Sequence, residues 1–309
     1  MTFTELRYIV AVARERHFGR AAAACFVSQP TLSVAIKKLE DELDVAIFER
    51  GKSDVRITPA GERIVAQAKR VLEEVEGVRR IAKQDQDQLE GPLRLGAIYT
   101  VAPYLLPQLI PILHRQAPNM PLVIEENYTA RLQERLLQGE LDAIVISLPF
   151  AEPGLTVRTL YDEPFMVVLP AAHPWRERNA IGVKELAEQP VLMLGAGHCF
   201  REQVLSACPD CQHTIAAGDP LAKAMEGGSL ETIRHMVASG LGITVLPCTA
   251  TGADKYAQRL LVLKRFKPPV PKRRVALAWR SGFYRPQAVT ALIKAIRACK
   301  LNCVGFVGR

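Results

Sequence analysis

Apolar positions near the start of the chain recur at helical intervals. Leu6, Ile9, Val10 and Ala13 make one stripe. Phe18-Gly19-Arg20-Ala21-Ala22-Ala23-Ala24 follows, small and strongly helix-forming. Cys25-Phe26-Val27 predicts a short turn. Ser28 then caps a further helix, with Pro30 in its first turn, where a missing N–H costs nothing. That helix runs to about Leu43 and buries Leu32, Ile36, Leu39 and Leu43. Short strands around Ile47-Phe48 and Val55-Arg56-Ile57 flank Gly51-Lys52-Ser53-Asp54. Residues 1–58 therefore read as a compact helical domain ending in a hairpin.

Thr58-Pro59 is a strong helix start. From there Ile64, Ala68, Val71, Val75, Val78 and Ala82 step by four, three, four, three and four, the spacing of a coiled-coil seam. A linker helix over 59–90, ending near Gln88 and a Gly91-Pro92 hinge, has no core of its own and predicts a second copy of the chain against it.

From Leu93 the pattern alternates between strands and helices. Leu93–Ile98, Leu122–Glu126 and Leu141–Ser147 read as strands, and Val101–Ala117 and Ala130–Gln138 as helices. A similar series follows from Phe165, including Val191–Leu194, Ser229–Ser239 and Ile243–Leu246. Strand Val275–Trp279 and helix Arg285–Cys299 close the chain. This predicts an α/β domain over 91–309 with a largely parallel sheet. It divides into two subdomains, about 91–162 with 268–309 and about 163–267, with a cleft between them.

At 49% hydrophobic residues the chain can bury such cores. No run approaches the ~18 apolar residues of a membrane helix, and the N-terminus lacks a signal-peptide pattern. The expectation is a cytoplasmic protein without membrane contact, whose seven cysteines start as thiols. The net charge of +8 is uneven: residues 255–309 hold fourteen Lys and Arg and no acid. Those charges lie on strand- and helix-patterned sequence and read as a solvated face, so charge alone does not argue for DNA.

The N-terminal layout does. Helix, turn and helix with a polar face is the helix-turn-helix arrangement. The second helix offers Ser28, Gln29, Thr31, Ser33, Lys37 and Lys38, and Arg14, Arg16 and Arg20 precede it. These groups suit base edges and phosphates. An ordinary three-helix domain with a polar surface is the alternative.

A second candidate site is Leu194-Gly195-Ala196-Gly197-His198-Cys199-Phe200-Arg201-Glu202-Gln203. Glycines lead from a strand into a helix, and Cys199 falls in the first turn. Oriented N–H groups, with His198 and Arg201, favour a thiolate there; the alternative is an inert buried thiol. Cys208 lies nine residues on. Within one helix that is ~13.5 Å of rise, while a disulfide needs Cα atoms within ~7 Å. A Cys199–Cys208 bond therefore requires the segment to refold.

The N-terminal residues carry a resemblance. Phe18-Gly19-Arg20-Ala21-Ala22, Val27-Ser28-Gln29-Pro30-Thr31-Leu32-Ser33, Ile36-Lys37-Lys38-Leu39-Glu40, Phe48-Glu49-Arg50 and Thr58-Pro59-Ala60-Gly61 resemble the signature of LysR-type transcriptional regulators. The resemblance implies a winged helix-turn-helix, a linker helix and a periplasmic-binding-protein-like sensor of two α/β subdomains. It implies double-stranded DNA as partner, with Arg20, Ser28, Gln29, Pro30, Thr31, Ser33, Lys37, Lys38, Arg50 and Lys52 as the contacting set. It also implies dimers through the linker helix, tetramers, and an encounter with RNA polymerase. Asp54 departs from the more basic wing of relatives. Gly197-His198-Cys199 with Cys208, Ile98-Tyr99-Thr100-Val101-Ala102-Pro103, Asp162-Glu163-Pro164 and Ser229-Leu230-Glu231-Thr232 resemble the hydrogen-peroxide-sensing OxyR-type members of that family. This implies Cys199 as peroxidatic and Cys208 as resolving cysteine, joined as a disulfide on oxidation. Thr100, Thr129, His198 and Glu202 would hold peroxide, Glu202 standing where relatives carry Asp. Arg273-Arg274 would supply a charge partner for the thiolate. No cofactor and no metal are implied.

Three other readings stay open. Cys208-Pro209-Asp210-Cys211 is a C-x-x-C that, with His198, Cys199 and His213, makes a metal sensor. Thr100 and Thr129 equally suit a small organic ligand in the cleft. A thiol peroxidase turning over through Cys199 and Cys208 leaves the N-terminal domain without purpose. Cys211 also competes with Cys208 as the resolving thiol.

Overall fold

The computed structural model describes residues 1–50, 55–81, 88–212, 226–252, 259–301 and 303–307. Its chain forms two units, Met1–Asp87 and Gln88–Arg309. The first comprises α1 (Phe3–Glu15), α2 (Phe18–Ala24), α3 (Gln29–Leu43), β1 (Phe48–Arg50), β2 (Val55–Ile57) and α4 (Pro59–Ile81). Each helix start is chemically marked. Thr2 and Glu5 form a reciprocal capping box on α1. His17 Nδ1 accepts from the Gly19 and Arg20 N–H groups at 3.0 and 3.2 Å to cap α2. Ser28 Oγ accepts from the Thr31 N–H at 3.3 Å to cap α3. Ile9, Val12, Leu32, Ile36 and Leu39 fill the core between them.

The hairpin is tied down by side chains. The Glu40 carboxylate accepts from the Ile47 and Phe48 N–H groups at 2.7 and 3.0 Å. Thr58 donates its hydroxyl to Ala46 O at 2.7 Å and accepts from the Gly61 N–H at 2.9 Å. A Cβ on Gly61 would sit 2.2 Å from Ile47 O, so only glycine lets α4 leave the hairpin this closely.

The linker helix departs from expectation in one respect: its first half does have a core to lie on. Gly61, Val65 and Ala68 are buried, with Leu72 packed beside them. At 100° per residue this stripe is offset by roughly a fifth of a turn from Ile64, Val71, Val75 and Val78. Ala68 belongs to both stripes. Val78 stands 67% exposed. Residues 82–87, including Ala82 of the predicted seam, lie outside the described residues.

The second unit runs β3 (Leu93–Ile98), α5 (Ala102–Gln116), β4 (Leu122–Asn127), α6 (Thr129–Leu137), β5 (Ala143–Ser147), β6 (Leu155–Pro170), β7 (Ala180–Ile181), β8 (Val191–Leu194), α7 (Cys199–Ala207), β9 (Glu226–Gly227), α8 (Leu230–Ala238), β10 (Ile243–Pro247), β11 (Leu261–Phe266), β12 (Lys272–Arg280), α9 (Pro286–Ala298) and β13 (Gly305–Phe306), with short 3₁₀ turns between some of them. Strands β4, β3 and β5 are parallel, as are β10, β8 and β9. The expectation of a largely parallel sheet needs correction at the centre. There β6 and β12 run antiparallel to each other and to their other neighbours, β12 against β5 and β6 against β10 and β11. The reason is connectivity. The chain leaves the first subdomain along β6 and returns along β12, so one 16-residue strand serves both sheets: its first part pairs with β12, its last part with β10 and β11.

Two apolar cores result. Leu95, Val145, Leu109 and Leu292 belong to the first, and Leu192, Leu246, Phe200 and Ile233 to the second. The cysteines also differ from expectation. Cys208 is bonded to Cys211 and Cys248 to Cys303, with Cα atoms 5.5 and 6.1 Å apart, within bonding range. Cys25, Cys199 and Cys299 are free thiols. Among the described residues no helix is long and apolar enough to cross a membrane.

Candidate functional site

The polar surface of the first unit is built on the start of α3. Ser28, Gln29, Pro30, Thr31, Lys37 and Lys38 are exposed, as is Arg20 on α2, while Ser33 is half-buried. The burial of Leu32, Ile36 and Leu39 on the opposite stripe is what turns these side chains outward. Arg20 is steadied by donating to Glu15 O at 2.7 Å. Two apolar residues of this surface escaped the sequence reading: Phe26, 95% exposed in the turn with φ 57°, and Val34, also exposed. A large apolar residue in a predicted turn was the available signal. The Arg50 side chain, Lys52 and Asp54 lie outside the described residues.

The thiol site is built around α7. After β8, Gly197 takes φ +94°, a left-handed conformation that favours glycine. The chain can then turn so that His198 becomes the N-cap and Cys199 the first helical residue. Phe200 and Val204 anchor α7 in the second core, whereas half-buried Cys199 packs against the first. The thiol thus faces the other subdomain across the cleft, at a helix N-terminus.

A small pocket beside it brings together Thr100, Thr129, His198 and Cys199, closed by Tyr99 and Tyr128. Arg273 fixes Thr100: its Nη1 donates to Thr100 Oγ1 at 2.7 Å and its Nη2 to Thr100 O at 2.8 Å. Since Thr100 Oγ1 accepts from Arg273, its own hydrogen is left for another acceptor. Thr129 Oγ1 is buried without a hydrogen-bond partner. The His198 ring stands edge-on to Tyr128 at 4.8 Å and Tyr99 at 5.9 Å. Burial pulls its pKa below the usual histidine value, against the opposing effect of a hydrogen bond that the ring donates to the Gly228 backbone. Burial thus favours the uncharged imidazole.

The cations expected around Cys199 are committed elsewhere. Arg201 donates to Leu194 O at 2.8 Å and pairs with Glu226 at 2.7 Å. Arg273 is fully buried and pairs with equally buried Glu163 at 2.7 Å. Glu163 also accepts from the Thr249 N–H at 3.1 Å and from its hydroxyl. Arg274 and Lys272 both pair with Asp162. Arg273 is thus a clamp on Thr100, and with Arg274 it lines a groove that also reaches Cys199. Of the residues that hold the clamp, Glu163 enters the sequence reading only within the Asp162-Glu163-Pro164 motif and Thr249 not at all.

Glu202 is not brought into this pocket. It is exposed and lines a wider groove on the other side of Cys199, with Gln203, Asp162 and Lys272. Gln203 crosses the cleft, donating to Ser147 Oγ at 2.8 Å and Leu148 O at 3.1 Å. Cys208 and Cys211 are buried in the second core. The predicted Cys199–Cys208 pair is therefore apart in this conformation, Cys208 being bonded to Cys211. Among the described residues no group of three His, Cys, Asp or Glu side chains is arranged to hold a metal ion; His213 lies outside them.

Comparison with known proteins bears on both surfaces. Residues 3–62 match the bacterial regulatory helix-turn-helix family model of the lysR family, and residues 86–299 match the LysR substrate-binding domain. The DNA-binding transcriptional dual regulator OxyR of Escherichia coli K12 is 39% identical over 298 residues, 96% of this chain and 95% of that one. A solved full-length OxyR of Pseudomonas aeruginosa, with aspartate replacing a cysteine, is 54% identical with a TM-score of 0.81, covering 97% of this chain and 99% of that one. A Corynebacterium glutamicum OxyR cysteine-to-serine variant, described as hydrogen peroxide-bound, is 32% identical with a TM-score of 0.63, covering 96% and 91%. The chain belongs to the LysR family of bacterial regulators, and within it to the OxyR group of hydrogen peroxide-inducible gene activators.

Proposed function

We propose that this chain is a transcription regulator whose DNA-bound state is set by hydrogen peroxide reacting at Cys199. The observation that carries the reading is the pocket beside the thiol, where Thr129 Oγ1 has no partner and the Arg273 clamp leaves the Thr100 hydroxyl hydrogen to be donated. Two hydroxyls lining one pocket and the N–H groups of α7 suit a small molecule that both donates and accepts. The Cys199 thiolate attacks one peroxide oxygen, the O–O bond breaks, and the other oxygen leaves as water after taking a proton. Cys199 becomes a sulfenic acid. Attack by the Cys208 thiol then expels a second water and forms the Cys199–Cys208 bond, for which α7 must unwind. Because α7 carries Gln203, its loss releases a tie between the subdomains.

DNA contact falls to the start of α3, with Phe26 and Val34 offering apolar surface to thymine methyl groups. Arg50 and Lys52 of the hairpin would meet phosphates. The chain acts in the cytoplasm as a dimer through α4 and as a tetramer, in contact with RNA polymerase. It is a regulator and not an enzyme. Footprinting of reduced and peroxide-treated protein tests the reading. The footprint shifts in the wild type and stays fixed in Cys199→Ser; a peroxide-dependent shift in that variant overturns it.

A further inference from the structure

We propose that Cys211 is a third redox residue of the switch: it takes Cys208 away from Cys199, returns Cys199 to a thiol, and so limits how long the switched state lasts. This rests on the peroxide reading above. The structure joins two facts. Cys199 is a free thiol on an intact nine-residue α7, and Cys208 is bonded to Cys211. The two bonds open to Cys208 make opposite demands. Pairing with Cys199 requires the nine-residue helix to melt. Pairing with Cys211 requires nothing: the Cys208 N–H still donates to Val204 O at 2.8 Å, the Cys211 N–H to Cys208 O at 3.2 Å, and both residues stay buried in the second core. Exchange of the first bond for the second therefore lets α7 refold and the core close. Cys299 is no competitor, since burial pushes its thiol up to about 11.

The chemistry balances in three steps. Cys199 thiolate, hydrogen peroxide and one proton, made good when the Cys211 thiol ionises, give Cys199 sulfenic acid and water. The Cys208 thiol displaces water from it, forming Cys199–Cys208. The Cys211 thiolate attacks the Cys208 sulfur, and Cys199 leaves as thiolate. In sum, peroxide accepts two electrons from Cys208 and Cys211, yielding one disulfide and two waters. The product is the arrangement seen here: oxidised at Cys208–Cys211, yet in the conformation of reduced Cys199. Such a chain has no resolving thiol, so a second peroxide stops at the sulfenic acid until a dithiol reductant reopens Cys208–Cys211.

The test uses full-length protein, reduced and given one equivalent of peroxide, quenched over time by acid alkylation and mapped by mass spectrometry. Cys199–Cys208 should rise first and decay as Cys208–Cys211 rises, with Cys199 reappearing as alkylatable thiol. In Cys211→Ser, and in Cys211→Ala as a check on folding, Cys199–Cys208 should last about tenfold longer or more, having lost an intramolecular attack. Wild-type Cys199–Cys208 persisting as the end product overturns the relay and leaves the peroxide reading intact. Formation of Cys208–Cys211 at an unchanged rate in Cys199→Ser also overturns the relay, while a peroxide-dependent footprint shift in that variant overturns the peroxide reading.

Discussion

At the scale of single residues the site depends on a buried charge. Arg273 and Glu163 are both without solvent exposure, and each has further polar partners: Thr100 for one, Thr249 for the other. The pair is costly to bury and more costly to break, because the survivor is left charged in an apolar surrounding. Arg273→Met should destabilise the chain by about 3–5 kcal/mol, whereas Thr249→Val, which removes one hydroxyl, should cost only about 1 kcal/mol. Arg273→Met should also slow the peroxide reaction of Cys199, because Thr100 loses the donor that orients it. Denaturant unfolding and single-turnover alkylation read the two effects. Near-wild-type stability of Arg273→Met would show that the pair is not the clamp described.

At the scale of elements, the Cys248–Cys303 bond joins the turn after β10 to the segment leading into β13, closing a loop over a separation of 55 residues. β13 in turn pairs with β6, the strand shared by both sheets. Loop-closure entropy gives such a bond about 4 kcal/mol at most. Cys303 is exposed, so Cys303→Ser leaves no cavity. The variant should unfold at lower denaturant than wild type under oxidising conditions and match it under reducing ones; equal midpoints in both would dismiss the tie. This bond also marks where sequence reading stops. Helix starts at Ser28-Gln29-Pro30 and Thr58-Pro59 are legible because capping chemistry is written within a few residues. The α7 site is legible for the same reason, glycines, His198 and Cys199 being contiguous. What is missed is held by distant partners. Arg273 meets Glu163 and Thr100 across 110 and 173 positions, and the antiparallel run of β6 against β12 depends on a chain that leaves and returns. Glu202 lies on the same helix as Cys199, yet its side chain lines the wider groove beside the thiol, a distinction that contiguity in sequence does not carry.

For the whole molecule, the telling surface is the second stripe of α4. Its neighbour, Gly61–Val65–Ala68–Leu72, is already used by the unit's own core. Ile64 and Val71 pack only partly against that core, Val75 is half-buried and Val78 exposed, a row that heptad spacing would close against a second copy. A helix-turn-helix protein reads two half-sites by dimerising, so losing this seam should cost DNA affinity as well as self-association. Val78→Glu puts a charge into the seam and should weaken the dimer by about tenfold or more, about 1.4 kcal/mol. Operator affinity should fall in parallel at concentrations below the new dissociation constant. Arg70→Glu, roughly a third of a turn from the seam, changes charge by more yet should leave self-association near wild type. Analytical ultracentrifugation with DNA titration at one salt concentration separates the two, since phosphate contacts alone make affinity salt-dependent. If Val78→Glu self-associates as tightly as wild type, the copies meet elsewhere, and the exposed row on α4 needs another occupant.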